Sequence, residues 1–376
     1  MAERPMTTTL ATKRPNLPPR LAEFRQMGNG ALEQLIRQYK AELGSKLVIL
    51  GHHYQVDDVI QFADFTGDSF KLAREAATVK DCRYIVFCGV HFMAETADIL
   101  TRPEVEVILP DMAAGCSMAD MADRDNVLAA WQDLDSIVGT VDIIPVTYMN
   151  STADLKAFCG RHGGIVCTSS NARAVLEWAY AQKNRVLFFP DQHLGRNTAK
   201  AMGMPLDEMI VWDPHEELGG NSEDDIRRAR IILWKGHCSV HQMFLPEHID
   251  LARAKDPYVK VLVHPECRME VVDKADVVGS TEGILKVLKD APAGSHWVVG
   301  TELHMVNRMA QSMPDKKIEF LSPMFCLCAT MYRIDLPHLA WVLEALVEGR
   351  VLNRVSVDAD TAHWARVALE RMLQVP

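Results

Sequence analysis

Short apolar runs, each closed by a polar or glycine-bearing turn and followed by helical apolar spacing, recur along this chain. They read KLVILGHHYQ (46–55), RYIVFCGVHF (83–92), DIIPVTYMNS (142–151), GGIVCTSSNA (163–172), RVLFFPDQHLG (185–195), VKVLVHPEC (259–267), DVVGSTEG (276–283) and HWVVGTELH (296–304). Each predicts a strand, a turn and an amphipathic helix. Alternation of this kind favours parallel sheets in α/β layers, and nearly continuous Val/Ile/Leu runs fit strands covered on both faces. Ala122–Val138, Leu336–Glu348 and His363–Leu373 also carry helical spacing. Asp213–Arg230 (DPHEELGGNSEDDIRRAR) reads as an acidic surface insertion.

Three further β-prone stretches, VEVILP (105–110), IILW (231–234) and IEFL (318–321), each stand a few residues before a cysteine: Cys116, Cys238 and Cys328. Two repeat units precede the first of these, three the second and three the third. The grouping predicts three similar α/β domains, each ending in a strand whose following loop carries one thiol. We place them at residues 31–120 (completed by C-terminal helices in 329–376), 121–240 (with the insertion near 213–230) and 241–328, after a flexible tail at 1–30. The competing arrangement is one large doubly wound sheet with cysteines scattered through it. Ligands in open α/β sheets gather beyond the carboxyl ends of the strands, so three sheets aimed at one centre would bring the thiols and polar turns together.

Composition narrows the function classes. With 376 residues and 48% hydrophobic content the chain can bury a large core. It has no run of eighteen apolar residues, so a membrane span is not expected. The opening segment is rich in Pro and Thr and lacks an apolar region of the secretory type. Nine cysteines in such a chain point to a reducing, cytoplasmic setting in which thiols serve metals or catalysis. A formal net charge of −10 disfavours nucleic acid or an anionic membrane as partner, but not a small anionic substrate in a locally positive pocket. The absence of any CxxC argues against a zinc ribbon, a thioredoxin-like dithiol or a bacterial ferredoxin run.

The strand-end turns hold the candidate chemistry. His52, His53 and Tyr54 form a possible proton-transfer set. Ser69 stands close to a helix start, where hydroxyl and amide groups suit a phosphate, although Asp68 or Ser69 could equally be an ordinary cap. Tyr148, Asn150, Ser169, Ser280 and Thr281 offer neutral hydrogen bonds beside helix starts. His264 and Glu266 pair an imidazole with a carboxylate, and His193 is a further strand-end histidine. Cys82, Cys88, Cys159 and Cys167 read as small buried apolar residues. Cys267 and Cys326 lie closer to the expected site. Three thiolates with an open position suit either a catalytic zinc or an iron–sulfur cluster with one exposed iron.

Taken in order, the motifs HHYQ (52–55), GDS (67–69), GVHFMAETADIL (89–100), GCSMADM (115–121), YMNS (148–151), TSSNA (168–172), PDQHLG (190–195), WKGHCSVHQMF (234–244), VLVHPE (261–266), GSTEGIL (279–285) and CLCATMYRIDLPHLAWVLEAL (326–346) resemble quinolinate synthase, the A protein of de novo NAD biosynthesis. The resemblance implies a fold of three three-layer α/β/α domains with parallel sheets, in a pseudo-threefold arrangement around a central active site. It implies a 4Fe–4S cluster held by Cys116, Cys238 and Cys328, with one iron free of protein ligands. The implied reaction condenses iminosuccinate (iminoaspartate) with dihydroxyacetone phosphate to give quinolinate, phosphate and two waters. Implied substrate positions are His52, Ser69, Tyr148, Asn150, Ser169, His264, Glu266 and Thr281, with Tyr54, His193 and Ser280 in matching motifs. Glu266, Tyr54 and His52 are the expected catalytic groups. Transient contact with the enzyme supplying iminosuccinate is a further expectation. The chain departs from many relatives in Ala329, where proline is usual, in the extra thiol Cys326, and in a longer segment at 213–230. A zinc-dependent lyase or aldolase on a phosphosugar, or a non-enzymatic iron–sulfur sensor, are the competing classes.

Overall fold

The structure is a computed structural model and describes residues 18–79, 81–324 and 327–375. The chain opens with helices α1 (Pro19–Phe24) and α2 (Asn29–Leu43). It then enters a sheet built from β1 (Leu47–His52), β2 (Phe65–Gly67), β3 (Tyr84–Cys88) and β4 (Glu106–Ile108), paired in parallel in the order β4–β3–β1–β2. Between these strands run α3 (Asp57–Ile60), α4 (Ser69–Thr78) and α5 (His91–Leu100). Every residue of β3 is buried, as a strand covered on both faces requires.

Helix α6 (Arg124–Val138) leads to the second sheet, made of β5 (Ile143–Tyr148), β6 (Ile165–Cys167), β7 (Arg185–Phe189), β8 (Met209–Trp212) and β9 (Ile231–Trp234). Its order is β6–β5–β7–β9–β8, again all parallel, with α7 (Ala153–Arg161), α8 (Ala172–Tyr180), α9 (Gln192–Ala201) and α10 (Glu223–Arg228) as connections. The third sheet comprises β10 (Lys260–Val263), β11 (Val277–Val278), β12 (His296–Gly300) and β13 (Lys317–Phe320) in the parallel order β11–β10–β12–β13. Helices α11 (Pro246–Lys255), α12 (Met269–Lys274), α13 (Thr281–Asp290) and α14 (Leu303–Ser312) cover it. The chain finishes with α15 (Leu336–Val347), β14 (Arg354–Val355) and α16 (Ala359–Gln374), β14 pairing antiparallel with the edge strand β4. Three parallel α/β sheets are therefore present, as the pattern of apolar runs predicts. Among the described residues no helix is long and apolar enough to cross a membrane.

One continuous apolar core runs through the first and second sheets. The third sheet packs instead into two smaller clusters, one with Leu262, Ile284 and Val299 and the other with Phe244, Val261 and Val298. Polar contacts tie it to the rest: Arg308 to Asp57 at 2.6 Å, His53 to Glu282 at 2.8 Å and Lys200 to Asp273 at 2.6 Å.

Several expectations need correction. The described part of the supposed tail, residues 18–30, holds α1 and the start of α2. Leu21 and Phe24 are buried, and Arg20 pairs with Glu344 of α15. Burying two such side chains contributes about 1.5–3 kcal/mol each, enough to fix a short helix. The C-terminal helices do not both complete the first unit: α15 packs on α1 and α2, whereas α16 lies mainly on α7 and β6 of the second. Residues 213–230, mostly at the surface, are nevertheless ordered by contacts of their own. Ser222 and Asp225 form a capping box that starts α10, Ile226 is buried, and α10 packs against α6. Gly219 has φ +64 and lies so close to Trp212 that a Cβ would come within 2.4 Å of the ring, so only glycine fits that turn. Strands β2, β8 and β14 have no counterpart in the sequence reading. Cys326 lies outside the described residues.

Candidate active site

Parallel strands send all their carboxyl ends one way, and the three sheets direct theirs at a common cavity of about 70 Å³ open to the centre of a water molecule. Cys116, Cys238 and Cys328 all line it. Their local structure repeats. Each cysteine precedes a short 3₁₀ turn, Ala119–Met121, His241–Met243 and Met331–Arg333 respectively. Each sulfur also receives the backbone amide three residues on, from Ala119, His241 and Met331. Burial raises all three thiols above their usual range, Cys116 to about 12, and the neighbouring cysteines raise Cys116 and Cys238 further. Three thiolates packed this way need a compensating cation, and amides aimed at sulfur are the usual surroundings of an iron–sulfur or zinc–thiolate centre.

Beside the sulfurs stands a buried acid–base group. Glu266, just after β10, has Oε2 2.6 Å from His241 Nδ1 and 3.8 Å from His264 Nδ1, and the two imidazoles stack with centroids 4.4 Å apart. His241 Nδ1 is off-line for a hydrogen bond despite its proximity. Burial opposes charge on Glu266, but His264, His241 and the Tyr148 hydroxyl outweigh it and hold the carboxyl below its ordinary range. Burial lowers His52 and His264 to about 3 each, aided by His53 and His241 respectively. Burial and the Glu266 charge push the phenols of Tyr54 and Tyr148 well up, which keeps both as donors. Tyr54 Oη lies 3.0 Å from Thr301 Oγ1 and 3.3 Å from Thr281 Oγ1. Asn150 lines the cavity, and its side-chain oxygen is buried without a partner among the described residues.

At another part of the wall, Ser69 opens α4, Thr281 opens α13, and Ser169 sits three residues before α8. Their neighbours bond to one another instead. The Ser170 hydroxyl donates to Asp68 Oδ2 at 2.6 Å and meets Ser280 Oγ at 3.1 Å, which joins all three sheets at the cavity rim. Asp68 caps α4 by accepting the Lys71 amide, and Ser280 caps α13 by accepting the Gly283 amide. Of the residues singled out in the sequence, the cavity thus gathers His52, Tyr54, Ser69, Tyr148, Asn150, Ser169, His264, Glu266, Thr281 and the three cysteines. Ser280 is a cap outside that lining. His193 is also outside it; it contacts Arg196 at 3.4 Å, and burial and that guanidinium lower it to about 4.

The sequence reading passed over His241 and Asp191. His241 follows Cys238 in a turn without a strand of its own; its spacing from Cys238 matches that of Met331 from Cys328, a threefold echo that could have flagged it. Asp191 caps α9 by accepting the Leu194 amide at 2.6 Å, while its second carboxylate oxygen is buried without a partner among the described residues. Cys238, His241 and Glu266 have donor atoms within 4.8 Å of one another and could hold a metal. Cys267 is buried, with its sulfur 3.7 Å from the Gly300 carbonyl.

Comparison with known proteins gives a consistent result. The chain is 58% identical over 366 residues to a quinolinate synthase of Rhodopirellula baltica, which covers 94% of this chain and 93% of that protein. It is 58% identical over 353 residues to the quinolinate synthase of a Nocardioides species (92% of this chain, 90% of that one). With the Corynebacterium glutamicum quinolinate synthase the figures are 58% over 353 residues, 94% and 90%. A family model described as quinolinate synthetase A protein matches residues 34–374, and over nearly its whole length the chain belongs to that family of enzymes.

Proposed function

We propose that this protein is a quinolinate synthase of NAD biosynthesis that condenses iminosuccinate with dihydroxyacetone phosphate, releasing quinolinate, phosphate and two waters. The observation that carries this reading is the threefold repetition of one thiol-bearing turn around a cavity that also holds two carboxylates, two imidazoles and two phenols. Cys116, Cys238 and Cys328 would hold a 4Fe–4S cluster, and their sulfur donors, burial and amide contacts fit such a group. When bound, the cluster supplies Lewis acidity toward a substrate oxygen.

The protein's own groups do the remaining work. Ser69, Ser169 and Thr281 offer hydroxyls beside the starts of α4, α8 and α13, a set suited to phosphate oxygens. Asn150 and Tyr148 can hydrogen-bond a carboxylate and the nitrogen beside it. His52 and His264, neutral at working pH, orient the dicarboxylate through their ring N–H groups. Glu266, ionised and fixed by His241 and Tyr148, accepts a proton from carbon or nitrogen, and Tyr54 returns one to a departing hydroxyl. Burial of the whole set excludes water from the imine.

The direct test is quinolinate formation by the anaerobically purified protein from the two substrates. Glu266→Gln should retain bound iron while turnover falls about 10²–10⁴-fold. Turnover at the unaltered rate in that variant would remove Glu266 from the chemistry, and no quinolinate from the unaltered protein would remove the reading itself. The closeness of Cys238, His241 and Glu266 favours one other reading, a single zinc serving a lyase on a phosphosugar. Against it, Glu266 Oε2 and His241 Nδ1 stand only 2.6 Å apart, closer than two ligands of one tetrahedral zinc.

A further inference from the structure

One buried charge has no part in the chemistry above. Lys156, on α7, is fully buried, and among the described residues its Nζ has one hydrogen-bond partner, the Ser151 carbonyl. The same nitrogen lies 5.4 Å from the centre of the Phe92 ring. One neighbour belongs to the cavity wall and the other lies behind it. Phe92 lines the cavity itself, and Ser151 closes the turn that carries Tyr148 and Asn150 into it.

That turn is held without the lysine. The Ser151 hydroxyl donates to the Tyr148 carbonyl at 2.8 Å, the Thr147 hydroxyl lies 2.9 Å from Ser151 Oγ, and Glu95 accepts the Ala153 amide at 3.0 Å. A methionine would fill the same space without removing an ammonium from water, which is unfavourable unless the charge is used. Burial lowers Lys156 to about 8, so the ammonium remains mostly charged near neutrality. The acid that opposes this shift, Glu95 on α5, is engaged by the Ala153 amide and stands 3.7 Å from His91 Nδ1.

We infer that Lys156 selects for a doubly charged substrate, its ammonium acting from behind the Phe92 ring that lines the cavity. The inference rests on the dicarboxylate chemistry proposed above. Across a layer of protein the attraction is on the order of tenfold in affinity for each negative charge on the ligand. A dicarboxylate therefore gains about tenfold more than a monocarboxylate of the same shape.

The test is equilibrium binding of pyridine-2,3-dicarboxylate and pyridine-3-carboxylate to the anaerobic holoprotein, for the unaltered chain, Lys156→Met and Lys156→Arg. Lys156→Met should lose about tenfold of the preference for the dicarboxylate, and Lys156→Arg, which keeps the charge, should retain it. A merely structural lysine would weaken both ligands alike, and an unchanged preference in Lys156→Met overturns the inference. If Lys156→Met does not fold, Lys156→Arg decides: retained preference supports the inference, lost preference refutes it. An unaltered protein with no preference for the dicarboxylate would sink the functional reading and this inference with it. A clear preference there, unmoved by the methionine, sinks this inference alone.

Discussion

Glu302, just past β12, accepts from the Tyr332 hydroxyl of the Cys328 turn and from the Met305 amide. Burial nevertheless pushes its carboxyl up from an ordinary 4.5 to about 7. The folded chain therefore holds this proton where the unfolded chain has released it. Stability contributed by the protonated form is present below pH 4.5 and is lost as pH rises toward 7. The loss amounts to about 3 kcal/mol at most. Glu302→Gln keeps an acceptor and a neutral side chain at every pH. Its unfolding midpoint should exceed that of the unaltered protein more at pH 8 than at pH 5, and a pH-independent difference would show that Glu302 is already ionised when folded. Residues of this kind are hard to read in a sequence. Glu302 in GTELH and His241 in CSVHQ look like ordinary surface groups until the sheets enclose them. His264 and Glu266 were legible because they end a strongly apolar strand; Glu302 follows one too, but the Tyr332 hydroxyl it accepts from belongs to a separate turn.

Helix starts separate two jobs that the sequence runs together. In GSTEG the adjacent Ser280 and Thr281 look interchangeable, yet Ser280 caps α13 and meets Ser170, while Thr281 faces the cavity and Tyr54. Ser280→Ala should lower stability by about 1 kcal/mol with KM unchanged, as loss of a cap does. Thr281→Ala should raise KM for the phosphate-bearing substrate with little change in melting. The reverse pattern, measured by steady-state kinetics and thermal denaturation, would return Ser280 to the site. The long elements were legible for a simple reason: their apolar runs are long enough to fix both period and boundaries. Strands β2 and β8 were not, because three or four residues beside a turn carry too little periodicity. Helix α1 escaped because its two buried side chains acquire meaning only against α15, more than three hundred residues later.

Over the whole molecule, two sheets share a core and the third is joined to them largely through polar contacts. Such a unit opens at lower free energy than a shared core does. Backbone amides of β10 and β12 should exchange with solvent before those of β1, β5 and β7; equal protection throughout would mean that the three sheets unfold as one unit. The cavity exists only where all three sheets meet, so the account stands or falls on what its three sulfurs hold together. Iron and acid-labile sulfide, determined on protein purified without oxygen, should come to about four of each per chain. One zinc per chain with no sulfide would contradict a shared thiolate cluster and leave Cys238, His241 and Glu266 as the metal site.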